Sequence, residues 1–477
     1  MIRGFETTVS GRAVLALALF GIHLVAQGAP EHIDPQWLRA SPHPSTQAQA
    51  PRRAAPTLRA ALPEQGFTLG EAIRQAVEWH PSIAQAVGVL YQQGEGINAA
   101  EAGYYPQVSG GLKAGVDSGY NGERGSQSLS LSLKQMLYDF GKVDHAVSAA
   151  KAKAAQAQAQ LLLTIDQVAR DTAFAYIESQ RYRALMAIAE AQLQGLSKIV
   201  DLAQQRSDMG ASTRSDVVQA ESRVDGGRAT LQEYRAAYAR WQATLANLLG
   251  RATTPEGTDQ APPELRQACQ ASDTGSDALP AVLSAFAQRD QAQAELAQAR
   301  AQAFPTISLE PSVNHYLDNS YNENNPYLDR TQAGLYLNVE VPIYQGGATS
   351  ARSRAAGYAL TAADAAEDAA RLQARQGLAE ARVQTLGLNN RLEALHRRQG
   401  NITEARELYG HQYLELGTRP LLDLLNAEQE IHQASFDLTN TQADLQRLNI
   451  DCLYNSGALR RVFALEGRNL QGVEVLP

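Results

Sequence analysis

The 477-residue chain carries 50 acidic and 42 basic residues, a formal net charge of −8, and this balance argues against nucleic acid as a partner because phosphate binding needs clustered Lys and Arg. Aromatics are only 6%, while Ala and Gln crowd residues 149–160 and 287–303, a composition suited to thin helical packing rather than to a bulky globular core. Two cysteines, Cys269 and Cys452, exclude a disulfide-dense scaffold and a Cys-rich metal module.

In chain order, Arg3 and Arg12 precede the apolar stretch Ala13–Ala26, which reads as a secretory signal peptide over residues 1–26. Residues 27–66 are rich in Pro, Ala, Gln and Arg and read as a flexible leader without a core of its own. Beyond residue 26 no apolar run approaches the roughly 18–20 residues of a membrane-spanning helix. Any passage through a membrane therefore has to be as a barrel.

The remainder is duplicated. Gly210 through Glu221 aligns with Gly417 through Glu428 at an offset of 207, Tyr138-Asp-Phe-Gly141 with Tyr344-Gln-Gly-Gly347 at 206, and Tyr105-Pro106 with Phe304-Pro305 at 199. A period this long is a duplicated domain and not a solenoid repeat. It gives a first repeat at 67–250, a linker at 251–277, a second repeat at 278–458 and a tail at 459–477.

Each repeat switches period. Residues 106–138 and 305–343 alternate apolar with polar, as in Val108, Gly110, Leu112, Ala114 against Ser109, Gly111, Lys113, Gly115, and again in Leu335, Leu337, Val339 against Tyr336, Asn338, Glu340. Each hairpin predicts two strands near the roughly 9–11 residues that cross an outer membrane at a tilt. Nine of the 18 tyrosines fall in or beside the hairpins, as interfacial aromatic girdles would, although Tyr also favours strands in general. After each hairpin nearly 70 proline-free residues predict one helix about 100 Å long, followed past a glycine turn by apolar positions in steps of three and four. Those run from Val217 to Leu248 and from Leu424 to Cys452, the spacing of a coiled-coil seam.

Four amphipathic strands cannot close a barrel, since the smallest membrane barrels need about eight and an open edge in lipid leaves backbone groups unpaired. The chain is therefore expected to self-associate; three copies would supply twelve strands, and this arithmetic leaves dimers and tetramers open. Enzymatic signatures are missing: there is no HExxH, Walker A, GxSxG or CxxC, and the nine histidines are scattered. No catalytic residue, cofactor or metal is expected.

These residues resemble the TolC family of outer-membrane channel proteins. The carriers are Phe67-Thr-Leu-Gly-Glu-Ala-Ile with His80-Pro81, the paired Tyr105-Pro106 and Phe304-Pro305, Tyr138-Asp-Phe-Gly141, and Gly417-Thr-Arg419 with Asp423. The resemblance implies a mainly α fold with a membrane β-barrel: long antiparallel coiled-coil helices forming a periplasmic tunnel, with four strands per chain in a homotrimeric 12-stranded barrel. It implies an outer-membrane duct of a Gram-negative bacterium, joined through a periplasmic adaptor to an inner-membrane ABC or proton-driven transporter. It maps a periplasmic gate onto Asp216, Arg419 and Asp423, with Asn426 where relatives carry a second aspartate, and adaptor contact onto Gly210, Ser212, Gly417 and Thr418. Tyr413 lies one position from the family's linking tyrosine.

A plainer reading makes Asp216 and Asp423 helix-start carboxylates facing the dipole, with Ser212 or Thr418 as cap and Pro420 in the first turn. Both readings stand at the sequence level. Cys269 and Cys452 lie in or near the belt across the helices, and no bond is assigned between them. No cysteine lies near the expected cleavage site to carry a lipid anchor, which by resemblance favours type I protein secretion, of an RTX-type toxin or adhesin, over small-molecule efflux. A soluble periplasmic coiled-coil scaffold is the alternative of a different class.

Overall fold

The computed structural model describes residues 38–40, 67–117, 124–254, 257–258, 263–270, 276–317 and 329–475. The expected signal peptide, most of the leader and both hairpin tips lie outside the described residues.

The elements are β1 (Leu38–Ala40), α1 (Leu69–Trp79), α2 (Pro81–Glu101), β2 (Gln107–Asp117), β3 (Arg124–Tyr138), α3 (Lys142–Asp208) and α4 (Arg214–Leu249). There follow α5 (Pro280–Ala301), β4 (Thr306–Tyr316), β5 (Thr331–Glu340), α6 (Ala348–Leu414), α7 (Leu421–Asn455), the short α8 (Leu459–Val462), β6 (Asn469–Leu470) and β7 (Val473–Val475). The two expected long rods are α3 and α6, each of 67 residues.

The switch from strand to helix is built the same way twice. Gly141 and Gly347 hold φ of +87° and +84°, a region that favours glycine, and each begins a long helix. At the first, the Asp139 carboxylate accepts hydrogen bonds from the backbone N–H of Gly141 at 3.0 Å and of Val143 at 2.7 Å, satisfying donors that the first helical turn leaves open.

Helix α3 is the central rod. It packs against α1, α2, α4, α5 and α7, whereas α6 is flanked within the chain by α5 and α7. The largest core joins Ile73, Ile83, Leu161, Leu162, Ile165, Leu249 and Ile450 with the C-terminal Phe463, Leu465, Val473 and Val475. The three-four stripes are seams as expected: Leu196, Ile199, Val217, Leu424 and Leu425 form one cluster, and Leu185, Leu231 and Phe436 another.

Three features depart from the sequence reading. Leu38–Ala40 of the leader form a strand, antiparallel to β7 in a small sheet of order β1-β7-β6, and the C-terminal tail is part of the core. Both are short segments whose partners lie at the opposite end of the chain. Cys269 and Cys452, to which the sequence assigned no bond, are joined in a disulfide with Cα atoms 5.2 Å apart. The linker is held at Thr258 as well, whose N–H donates to the Phe67 carbonyl at 3.0 Å and whose carbonyl accepts from the Tyr176 hydroxyl at 2.5 Å.

The second sheet has the order β2-β3-β4-β5, antiparallel throughout. Both of its outer strands have a free edge within the described residues.

Candidate functional site

The sheet is two-faced because most of its register sets apolar opposite apolar and polar opposite polar, Leu129–His315 and Gln135–Leu309 being exceptions. Leu112 lies opposite Leu129, Leu131 opposite Val313, and Leu309 opposite Leu337 on one face; Ser109 opposite Ser132, Ser132 opposite Ser312 and Ser308 opposite Asn338 on the other. A one-residue slip would exchange the two sets. The apolar face is bare, with Leu112 70% and Leu335 68% exposed and Val108, Leu129, Leu131, Leu337 and Val339 all exposed. An apolar surface this continuous marks contact with lipid or with another protein. The polar face is knitted together: Ser109 and Ser132 hydroxyls lie 2.7 Å apart, Lys134 meets Glu310 at 3.2 Å, and Glu310 also accepts from Ser308 at 2.8 Å and Asn338 at 3.2 Å.

Aromatic side chains collect where sheet meets helix. Tyr138 packs edge-on to Phe140, which stacks on Phe304 at 5.5 Å, and Tyr105, Tyr138 and Tyr344 are exposed. This is the placement expected of a girdle, although Tyr120, Tyr321 and Tyr327 lie outside the described residues.

At the far end of the rods, Gly210 and Gly417 turn the chain with φ of +68° and +60°. The first turn is a capping box: Thr213 caps α4, its hydroxyl accepting from Asp216 N–H at 3.3 Å while Asp216 accepts from Thr213 N–H at 3.1 Å and from the Ser212 hydroxyl at 2.7 Å. The cap is thus Thr213, one residue after Ser212, because only Thr213 stands three residues before Asp216. Hydrogen bonds from Ser212 and then Thr213 hold the Asp216 carboxyl below its ordinary range.

The second turn is built differently. Pro420 is the N-cap of α7 and lies outside its first turn, and no side chain caps that helix. Thr418 contributes its N–H to the Gln412 carbonyl at 3.1 Å. Arg419 donates to Asp423 and to the Gln412 side chain, both at 2.8 Å, and lies 4.1 Å over the Tyr409 ring.

The chain therefore brings Arg419 to Asp423. No ion pair joins Arg419 to Asp216 among the described residues. Asn426 accepts from Arg223 at 3.5 Å. Tyr413 is buried between the two turns, with the Arg206 guanidinium 4.7 Å over its ring and donating to its carbonyl at 3.1 Å.

One polar cluster had no sequence signal. Glu428 of α7 is buried and accepts from Arg406 of α6 at 2.9 Å and from the His432 Nε2 at 3.2 Å. Its three members come from two helices and acquire meaning only once α6 and α7 are packed.

The sequence profile of the outer membrane efflux protein family matches residues 72–251 and 278–451, one segment in each repeat. The outer membrane efflux protein BepC of Brucella suis is 26% identical over 382 residues, covering 76% of this chain and 79% of the relative. The proteases secretion protein PrtF of Dickeya chrysanthemi is 32% identical over 173 residues, 36% of either chain. Among solved structures, the outer membrane protein VceC of Vibrio cholerae superposes with a TM-score of 0.71 at 20% identity over 82% of this chain and 96% of its own. With two repeats, a two-faced sheet and paired rods in the matched segments, the chain belongs to the outer membrane efflux protein family and is located in the outer membrane.

Proposed function

We propose that three copies of this chain assemble into a channel-tunnel that serves as the exit duct of a tripartite export system, joined through a periplasmic adaptor to an inner-membrane ABC or proton-driven transporter. The observation that carries this reading is the four-stranded sheet with a bare apolar face and two free edges. Lipid can meet that face, but free edges in lipid cost several kcal/mol per unpaired backbone group, so copies must pool their strands. Three copies supply twelve strands, above the minimum of about eight. A soluble scaffold would need a cover for the apolar face, and no described element supplies one.

The duplication supports the same conclusion for the rods. Tyr358, Leu372 and Val383 of α6 are exposed, whereas their counterparts 206 positions earlier in α3, Ala152, Asp166 and Ile177, are buried. Within the chain α3 is covered by α5 and α7, whose repeat counterparts are α2 and α4. A second copy presenting α2 and α4 to α6 would bury the stripe in the same way and generate a head-to-tail ring.

The glycine turns at the ends of the rods are the proposed periplasmic tips. Asp216, Arg419, Asp423 and Asn426 form the polar set that closes them, and Gly210, Ser212, Gly417 and Thr418 form the surface offered to an adaptor. Protein cargo in type I secretion is the preferred reading, supported by the likeness to a proteases secretion protein. Small-molecule efflux is the second reading, supported by the longer alignment with BepC.

Heat-modifiable trimers in outer-membrane fractions and ion conductance in planar bilayers are the expected results. Recovery of the chain as a soluble monomer in periplasmic extract would overturn the proposal.

A further inference from the structure

We infer that β5 of one copy pairs antiparallel with β2 of a second copy, Val339 opposite Leu112 and Asn338 opposite Lys113, and that a Lys113–Glu340 ion pair across this seam helps lock it. The inference rests on the proposed self-association and adds which residues meet.

The duplication supplies the register. Strand β3 maps onto β5 by the offset of 206 that relates Tyr138 to Tyr344, and β4 maps onto β2 by the offset of 199 that relates Pro305 to Pro106. The pairing of β3 with β4 is therefore the in-chain image of a pairing between β5 and β2, the two strands whose edges are free. The observed pairs Leu131–Val313, Ser132–Ser312 and Gln135–Leu309 become Leu337–Ala114, Asn338–Lys113 and Val341–Gly110. The two faces stay in agreement: Leu337 and Ala114 are on the apolar side, Asn338 and Lys113 on the polar side. Any odd slip would destroy that agreement.

The ladder itself stops where a partner strand is missing. Strand β3 runs to Tyr138, paired with Ile307, but β5 ends at Glu340. Residues 341–344 correspond to the last four of β3, and here they lie outside any strand, with Ile343 93% and Tyr344 85% exposed. A neighbouring β2 would extend β5 through them.

Charge points the same way. Lys113 and Glu340 are exposed on the polar faces of the two edge strands, and neither has an ion-pair partner among the described residues. In the inferred register Lys113 faces Asn338 and lies diagonal to Glu340, two residues further on, a spacing that long side chains bridge. The sheet already makes this diagonal in-chain, where Glu310 lies opposite Tyr336 and accepts from Asn338 at 3.2 Å. The equivalent seam inside the chain is closed by Lys134 and Glu310. A slip setting Lys113 opposite Tyr336 would strand both charges; the slip that sets it opposite Glu340 is excluded by the repeat register alone, and the experiment distinguishes the two.

The test uses the full-length protein in isolated outer membranes, where the native cysteines are already joined to each other. Leu112→Cys with Val339→Cys should yield covalent oligomers with a short bifunctional thiol reagent, whereas Gly110→Cys or Ala114→Cys with Val339→Cys should yield at least tenfold less. Preferential linkage of either slipped pair overturns the register. Absence of linkage in all three, with the unaltered protein still a heat-modifiable oligomer, overturns the strand pairing; a monomeric unaltered protein would instead overturn the self-association on which it rests. For the ion pair, Lys113→Glu and Glu340→Lys should each lower the temperature at which the oligomer dissociates, and their combination should restore it. Failure of the combination to restore it removes the ion pair from the seam.

Discussion

The carboxylate of Glu428 occupies the place where a side chain on Gly195 would begin: a Cβ built on Gly195 would lie 1.8 Å from Glu428 Oε1. Helix α3 can pass this close to α7 only because residue 195 has no Cβ, and the space so made holds the carboxylate that Arg406 and His432 bind. Gly195→Ala gains about 1 kcal/mol of helix propensity, but it must displace a buried, doubly bonded carboxylate, and breaking such a pair costs about 3–5 kcal/mol. The clash wins, and thermal unfolding should show a net loss of roughly 2–4 kcal/mol. Gly226→Ala is the control: it sits in α4 with open space around its Cβ and should leave stability unchanged or improved.

Two buried carboxylates predict opposite pH dependences. For Glu428, burial would raise the pKa, but His432 and Arg406 outweigh it and the net direction is down. A carboxyl lowered on folding stabilises above its ordinary value near 4.5 and loses that contribution as pH falls through the folded value. Asp166, by contrast, is pushed up to about 6 by burial, against the opposing pull of Arg460. Between its ordinary 3.8 and about 6 the folded state holds a proton that the unfolded chain has released, so stability falls as pH rises through that window. Unfolding followed from pH 3 to 7 should show Glu428→Gln flattening the acid limb and Asp166→Asn flattening the slope between about 4 and 6. Exchange of the two signatures would contradict the assignments.

The hairpins and rods were legible because both periods are local: alternation in Leu112, Ala114 and Leu335, Leu337 fixes faces without knowledge of partners, and glycines at 141 and 347 mark where the period changes. The cap on α4 was read one residue early, since Ser212 and Thr213 are chemically equivalent in sequence and only the spacing to Asp216 separates them. What stayed hidden involves residues far apart: Asp166 with Arg460, β1 with β7, and Cys269 with Cys452. Each joins a repeat, the leader or the linker to a segment at least 183 residues away, which no window of sequence contains. At the tips the residue types were legible, but the pairing of Arg419 with Asp423 depends on the rotamer that Gln412 and Tyr409 hold in place.

The disulfide carries a stability prediction of its own. It spans 183 residues and ties the inter-repeat linker to α7, so its removal frees a long loop in the unfolded state. Replacing both cysteines with serine should cost about 2–5 kcal/mol, read as a lower denaturant midpoint.

The proposed closure at the tips can be separated from ordinary helix capping. Asp216 serves both: it completes the Thr213 capping box and is a charge at the end of a rod. Asp216→Asn keeps an acceptor oxygen for the cap while removing the charge; Thr213→Ala removes the cap, at about 1 kcal/mol, and leaves the charge. Arg419→Ser breaks the contacts to Asp423, Gln412 and Tyr409 together. Exposed pairs of this kind contribute only about 0–1 kcal/mol each, so a closed tip should be sensitive to losing one or two. In planar bilayers Asp216→Asn combined with Arg419→Ser should raise single-channel conductance, whereas Thr213→Ala should not. Equal conductance in all variants would remove these residues from gating, and a rise in Thr213→Ala as large as in the charge variants would assign the effect to fraying of α4.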